Sequence, residues 1–302
     1  MAAQRAQMLD GRWHFQHGPI DIIIGGAGDA AALAGATEKA WERFKTILQE
    51  LADELPALRR PLLGSCPVHG VIAQRMWAAC QPYQSSFITP MAAVAGSVAQ
   101  ELLQFYEVAG IRRVHINNGG DMAIQLAADE AIRVGVYSNL ARFDARQLQG
   151  GITLDGQLDI RSDSPVRGVA TSGWRGRSFS LGIADSVTVL ARTAAQADAA
   201  ATIIANAVNV LDERIVRQPA CAITDDSDLG CRMVTVDVPR LPEVLVQRAL
   251  ALGLARAQTL RAQGLICSAV LVCQNQCVVT DAVEQPLPDE VLTLNACGMD
   301  YA

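Results

Sequence analysis

Aromatic side chains are scarce, at 5% of 302 residues, and histidine occurs only 4 times. A core short of rings has to be assembled from Ala, Val, Leu and Ile, which let helices sit close on a sheet. Long apolar runs are also missing, since none reaches the roughly 18 residues of a membrane helix. The opening segment, MAAQRAQMLDGRWHFQHGP, contains no apolar stretch of the signal-peptide kind. The sequence therefore predicts a cytoplasmic protein with no membrane partner. Positive charge is not in excess: 25 Lys and Arg against 31 Asp and Glu give a net charge of −6. That balance offers nucleic acid no electrostatic footing. No Gly-x-Ser-x-Gly elbow and no Walker loop occurs, and Gly25-Gly26-Ala27-Gly28 has no acid placed to read a ribose.

Without an export signal, the 8 cysteines read as reduced thiols. Cys267, Cys273 and Cys277 lie close together, but their C-x5-C-x3-C spacing is not that of a zinc site. Cys66 precedes Pro67 with no helix start, which argues against a nucleophile.

What is present suits an enzyme-like α/β or α+β body, with 50% hydrophobic residues and enough length for one large or two medium domains. The run Ile20 to Ile24 predicts a buried strand, and Ala30 to Leu55 a long helix ended by Pro56. Val71 to Cys80 reads as helix. Thr89 and Pro90 read as the cap and first position of a helix over Met91 to Ala109. Arg112 to Ile116 predicts a strand, followed by short strands to about Arg161 with turn signals at Gly150-Gly151 and Asp155-Gly156. A second long helix is expected over Leu241 to Gly264. A hairpin should follow from Leu265 to Asp281, turning at Gln274 to Gln276. The tail from Asp281 to Ala302 reads as irregular.

The densest chemistry lies between Gly168 and Asn209, where a Gly- and Ser-rich turn, a strand and an alanine-rich helix follow one another. Asp198 and Thr202 stand four apart on that helix, hence on one face, where their oxygens can meet a hard cation. The alternative is a solvent-facing Asp beside a Thr bonded back to a helical carbonyl. The segment Thr89 to Gly96 is a capped helix start lined by small residues, suited to an anion or to close packing. Asn117-Asn118-Gly119-Gly120-Asp121 is a polar turn, either ligand-facing or merely strand-connecting. Thr171 to Ser178 combines hydroxyls with Arg175 and Arg177 and reads as an anion clamp or a solvated loop. Trp174 can stack on a ring or bury itself. His17 and Asp21 are the acid/base candidates, with His14 nearby, whereas His69 and His115 have no acid beside them in sequence.

Taken in order, these segments resemble the ApbE-type family, the FAD:protein FMN transferases. Val169-Ala170-Thr171-Ser172-Gly173 is similar to its Ala-Thr-Ser-Gly turn, and Asp185-Ser186-Val187-Thr188-Val189 to its Ser-Val-Thr-Val strand. Ala197-Asp198-Ala199 through Thr202 resembles its metal-binding helix, and Gly119-Gly120-Asp121 its Gly-Gly-Asp turn. The resemblance implies Mg²⁺ held by Asp198, Thr202 and a backbone carbonyl, here that of Ala92, with FAD or FMN as ligand. There are departures. The family's Asp-x-x-x-x-Ala-Lys-Gly helix appears as Thr89 through Gly96, without either charge. Its His-Ile-Ile-Asp-Pro flavin loop is missing, because Ser180 to Ala184 runs straight into the strand. Typical members are exported, and no export signal is seen here. The pattern is closer to a bacterial and archaeal branch that lacks the flavin loop.

The expectation is thus an α+β, ApbE-like fold, one chain with two intimately joined lobes around a central cleft. Thr89, Asn118, Asp121, Thr171, Ser172, Arg175 and Arg177 would bind a small anionic or phosphate-bearing ligand. His17 and Asp21 would handle protons, and Mg²⁺ would sit at Ala92, Asp198 and Thr202. Alternatives are a flavin- or metabolite-binding accessory protein and a non-flavin hydrolase of small metabolites. The alanine-rich helices leave room for a homodimer interface.

Overall fold

Helix α1 (Ala30–Asp53) shows how the sequence builds this molecule. Asp29 caps it through a 2.8 Å bond from the Ala32 N–H, and Ala36, Ala40, Phe44, Ile47 and Leu51 form its buried stripe. Phe44 and Trp41 close on Phe15 at centroid separations of 5.4 and 5.0 Å, which concentrates the few aromatics at one end of the core. The helix stops at Glu54, and Pro56 lies inside the short turn α2 (Leu55–Leu58) that follows. Proline here starts a turn, as suits a residue lacking an N–H.

The computed structural model describes residues 2–136, 156–176 and 178–280. Arg177, the expected turn at Gly150-Gly151 and the tail after Thr280 lie outside the described residues. Mixed helices and strands make the fold α+β, with helices α3 (Val71–Cys80), α4 (Val94–Leu103), α5 (Ala194–Ala207), α6 (Ala220–Ile223) and α7 (Glu243–Ala262). Strands β1 (Gln4–Gln7), β2 (Trp13–His17), β3 (Ile20–Gly28), β4 (Ile111–Asn118) and β5 (Asp121–Leu126) form successive antiparallel neighbours. Beyond them come β8 (Gly168–Ser172), β9 (Ser186–Ala191), β12 (Ser268–Cys273) and β13 (Gln276–Val279), which complete a 9-stranded sheet in the order β1-β2-β3-β4-β5-β8-β9-β12-β13. Both ends of the described chain therefore share one sheet. Strands β6 (Ala131–Val136) and β7 (Gly156–Arg161) pair separately, as do β10 (Val216–Pro219) and β11 (Met233–Asp237).

Side-chain alternation divides the apolar residues between the two sheet faces. Ile22, Ile24, Val114, Ile116, Ala123, Ala170, Val187 and Val189 join the large core under the helices. Ile124, Val169 and Leu190 point the other way and pack with Leu158 and Ile160 of β7. The predicted helix from Met91 is broken. Pro90–Ala93 is a 3₁₀ turn, Ala93 departs from helical geometry at φ −130°, ψ 16°, and α4 begins only at Val94. The hairpin turn at Gln274 is as expected, with Gln274 and Asn275 both at positive φ (46° and 66°). Among the described residues, no helix is long and apolar enough to cross a membrane.

Candidate functional site

Helix α5 starts after Thr193, whose side chain accepts from the Gln196 N–H at 3.3 Å. Its first turn is held from two sides by glycines. A Cβ on Gly168 would lie 2.2 Å from the Thr193 carbonyl carbon, and one on Gly96 would lie 2.3 Å from the Ala194 oxygen. Only backbone-to-backbone packing fits there. The alanines of α5 other than Ala207 are buried, but Asp198, Thr202 and Asn206 are only partly buried, at four-residue spacing. They form a polar, partly accessible stripe on a mostly buried helix.

Opposite this stripe is the start of α4. Asp198 Oδ2 accepts from the Gly96 N–H at 2.9 Å, and the Ala95 N–H also supports the carboxylate. Met91, Ala92, Val94 and Ala95 keep partial exposure beside it. Surrounding protein pushes the Asp198 carboxyl well above the ordinary range, and the negative charge of Asp121 adds to the shift against these backbone donors. No Lys or Arg among the described residues forms an ion pair with Asp198. Thr202 makes no hydrogen bond back to the Asp198 carbonyl, unlike Thr37 and Thr259, which bond to the carbonyls of Leu33 and Ala255 at 2.8 and 2.9 Å. Its hydroxyl thus remains available on the Asp198 face.

The turn between β4 and β5 closes the floor. Asn118 is 5% exposed and donates from Nδ2 to the Ala95 carbonyl at 3.1 Å. Asp121 accepts from the Thr171 N–H at 3.1 Å. Its place in β5 is on the face of Ala123, toward the helices. Thr171 and Ser172 divide between the faces: the Thr171 hydroxyl lies 2.9 Å from that of Thr188, while Ser172 shares the helix side with Ala170. Thr171 thus contributes its backbone N–H here rather than its hydroxyl.

Other expected residues are placed differently. Thr89 is not a side-chain cap; its Oγ1 donates to Asp228 Oδ2, and its carbonyl accepts from the buried Cys80 thiol at 3.4 Å. Arg175 is committed locally, 3.3 Å from Asp185 Oδ1 and stacked 4.6 Å from the Trp174 ring centroid. Trp174 Nε1 also donates to Asp185 at 3.3 Å, so this loop fastens itself instead of presenting a free clamp. His17 and Asp21 do not form a pair. Asp21 lies 2.8 Å from His14 Nε2, whereas the His17 ring is near Phe44 on the helix side. Strand alternation sends His17 and Asp21 to opposite faces. His115 lies against Gly25, where a Cβ would come within 2.4 Å of the ring, so that glycine run serves packing.

Sequence reading missed Cys80, Asn206 and Asp228. Burial, followed by the charges of Asp198 and Asp228, pushes the Cys80 thiol well up, so it is a neutral buried group against the Thr89 carbonyl. Asn206 Oδ1 accepts from the Leu181 N–H at 2.9 Å and so holds the segment where the flavin loop of the resemblance is missing. Asn206 was legible as the next member of the Asp198, Thr202 stripe. Asp228 was not, because TDDSD reads locally as a solvated acidic turn.

The oxygens of Asp198, Asp121 and Thr202 and the exposed backbone around Ala92 are hard donors of the type Mg²⁺ takes, one or two carboxylates with water completing the shell. No group of three His, Cys, Asp or Glu side chains converges as a metal cage among the described residues. The residues therefore fit a sparsely held Mg²⁺ and not a closed structural zinc site.

These acidic and hydroxyl side chains thus gather at the ends of the central strands of an α+β fold. The family model described as AbpE bacteria matches residues 4–279, and the chain belongs to that family. Among curated proteins it is 37% identical over 177 residues to a UPF0280 protein of Methanothermobacter thermautotrophicus, covering 55% of this chain and 64% of the relative. It is 36% identical over 157 residues to a UPF0280 protein of Methanopyrus kandleri, covering 51% and 56% respectively. The match spans less than two thirds of these relatives' own length. A solved apo structure, the flavinyl transferase ApbE of Pseudomonas stutzeri, overlaps 93% of this chain and 94% of its own at 13% identity with a TM-score of 0.43.

Proposed function

We propose that this protein is an Mg²⁺-dependent enzyme acting on a small phosphate-bearing ligand, of which a flavin nucleotide is the leading class and transfer of its FMN part the leading reaction. The observation that carries the reading is Asp198. It is a carboxyl group enclosed by protein, with no ion-pair partner among the described residues, and burial first and the charge of Asp121 second raise its proton affinity. Such an arrangement is costly unless a cation shares it.

Asp198 and Thr202 would hold the ion with the Ala92 carbonyl. Bound there, Mg²⁺ would offset phosphate charge and polarise a phosphoryl oxygen. Asn118, fixed to Ala95, gives the cleft a rigid floor, and Asp121 is oriented by the Thr171 N–H. Asp121 and Asp228 lie near the helix start, and Asp198 adds its charge once a cation displaces its proton. A phosphate therefore enters only together with a divalent cation. His14, Asp21 and Arg175 are engaged elsewhere and take no part in this reading.

A second reading rests on the 2.9 Å bond from the Gly96 N–H to Asp198. A carboxylate serving mainly as a cross-helix cap would suit an accessory binding protein without turnover. Thermal unfolding with Mg²⁺, FAD and FMN, singly and together, separates the two. The enzyme reading expects FAD or FMN to stabilise the protein only when Mg²⁺ is present, and Asp198→Ala to abolish that response while remaining folded. No stabilisation by any flavin, with or without metal, removes the transferase. An unchanged response in Asp198→Ala removes the metal site.

A further inference from the structure

Outside the cleft wall, β10 and β11 form a hairpin whose last ladder pair is Pro219 with Met233. Beyond it the chain narrows again: the Ala220 N–H donates to Arg232 O at 2.9 Å, and the Cys221 N–H to Gly230 O at 2.8 Å. At this neck the sulfurs of Cys221, in α6, and Cys231 lie 3.0 Å apart, both residues exposed. The tip they enclose carries groups that dock on Arg59, just after α2, and on Thr89, ahead of α4. Asp226 lies 3.3 Å from Arg59, and Asp228 accepts from the Thr89 hydroxyl. Just past the neck, the Arg232 guanidinium stacks 3.4 Å from the centroid of the Phe87 ring.

We propose that Cys221 and Cys231 are a redox-active dithiol whose disulfide clasps this tip and fixes Asp228 against Thr89 at the edge of the cleft. The sulfurs need approach only about 1 Å to reach bonding distance, and they sit on facing arms of one hairpin neck, where exchange is open to solvent. The reaction partner is a small-molecule disulfide such as oxidised glutathione. One protein thiolate attacks it and releases one glutathione thiolate. The second protein thiolate then displaces the other glutathione from the mixed disulfide. Two protein thiols are oxidised to one disulfide, one external disulfide is reduced to two thiols, and the protein's thiol protons pass to the released glutathione.

Because the tip supplies Asp228, the clasp would act on the cleft from outside its metal residues. Its formation does not depend on what the cleft binds, so it can be measured without metal or flavin. The full chain is equilibrated over a series of reduced and oxidised glutathione ratios, alkylated and mapped by mass spectrometry. The expected result is an intrachain Cys221–Cys231 linkage, loss of two of the 8 thiols and full reversal by dithiothreitol. Cys231→Ser should instead keep a single glutathione on Cys221. Oxidation should also slow cleavage of the tip by a protease that cuts after Asp, with the fragments held together until reduced. Lasting glutathione adducts on both cysteines, a link from either to Cys66 or Cys277, or no modification of the pair would overturn the dithiol. An unchanged tip-cleavage rate after complete linkage would overturn the clasp. Neither failure bears on the Mg²⁺ reading, which its own thermal measurements decide.

Discussion

At the scale of the residue, Thr202 is the sharpest test of the cleft because its hydroxyl has no competing structural task. Thr202→Val keeps the shape of the side chain and removes only the oxygen. The fold should be unaffected, and Mg²⁺ affinity measured by isothermal titration should fall about tenfold, equivalent to about 1.4 kcal/mol. Equal affinity in the variant would exclude the hydroxyl as a ligand. This residue and Asp198 were readable in the sequence because a helix fixes what four-residue spacing means. Asp228 was not, since it meets Thr89 across 139 residues of chain, and nothing local in TDDSD announces such a contact. The ion pair of Arg175 was not legible for a related reason. Its partner Asp185 is ten residues away, beyond a turn whose closure no sequence period records.

At the scale of elements, one ionic junction joins the helices behind the cleft. Glu101 of α4, with its side chain 4% exposed, meets Arg43 of α1 at 2.8 Å and Arg75 of α3 at 2.9 Å. Burial alone would raise the Glu101 carboxyl, but hydrogen bonds from Arg43 and Arg75 hold it below the ordinary range. A depressed folded-state value contributes stability above the unfolded carboxyl range and loses it as pH falls through the folded value. Glu101→Ala should cost about 3 kcal/mol at neutral pH by leaving Arg75 half-buried without its carboxylate and Arg43 with Glu50 alone. Urea midpoints at pH 7 and pH 3 should show the variant's deficit shrinking in acid; a constant deficit would mean that lost packing, not charge, is responsible. The positions of α1 and α3 were legible from their apolar periods. The break at Ala93 was not, because it answers to Asp198, on another helix, taking the free N–H groups of α4.

For the whole molecule, the buried phenols set the alkaline limit. Burial pushes Tyr106 up to about 12 against the opposing bond to Thr37, and burial also pushes Tyr83 up. Cys273 is held at about 12 by burial and then by the charge of Asp185. In the unfolded chain these groups lose protons at their ordinary values, about 8.5 for the thiol and 10 for the phenols. Stability is then complete below those values and declines as pH rises toward 12. Denaturant midpoints should fall steadily between pH 9 and pH 11, and Tyr106→Phe should flatten the upper part of that slope. A midpoint independent of pH across this interval would contradict the burial seen for these side chains. The sheet order itself was only partly legible, because β5 meets β8 across a segment that sequence patterns do not connect.

The glycine contacts that grip the first turn of α5 also bear on how such a protein can diversify. Gly168 and Gly96 press backbone onto backbone, so almost any substitution there displaces the helix carrying Asp198 and Thr202. Inherited change is squeezed out of this frame and left to the rim, above all the acidic hairpin tip, which faces solvent and touches the cleft at its edge. A change at the rim can thus alter what the molecule presents to solvent while the helix carrying Asp198 and Thr202 stays where it is.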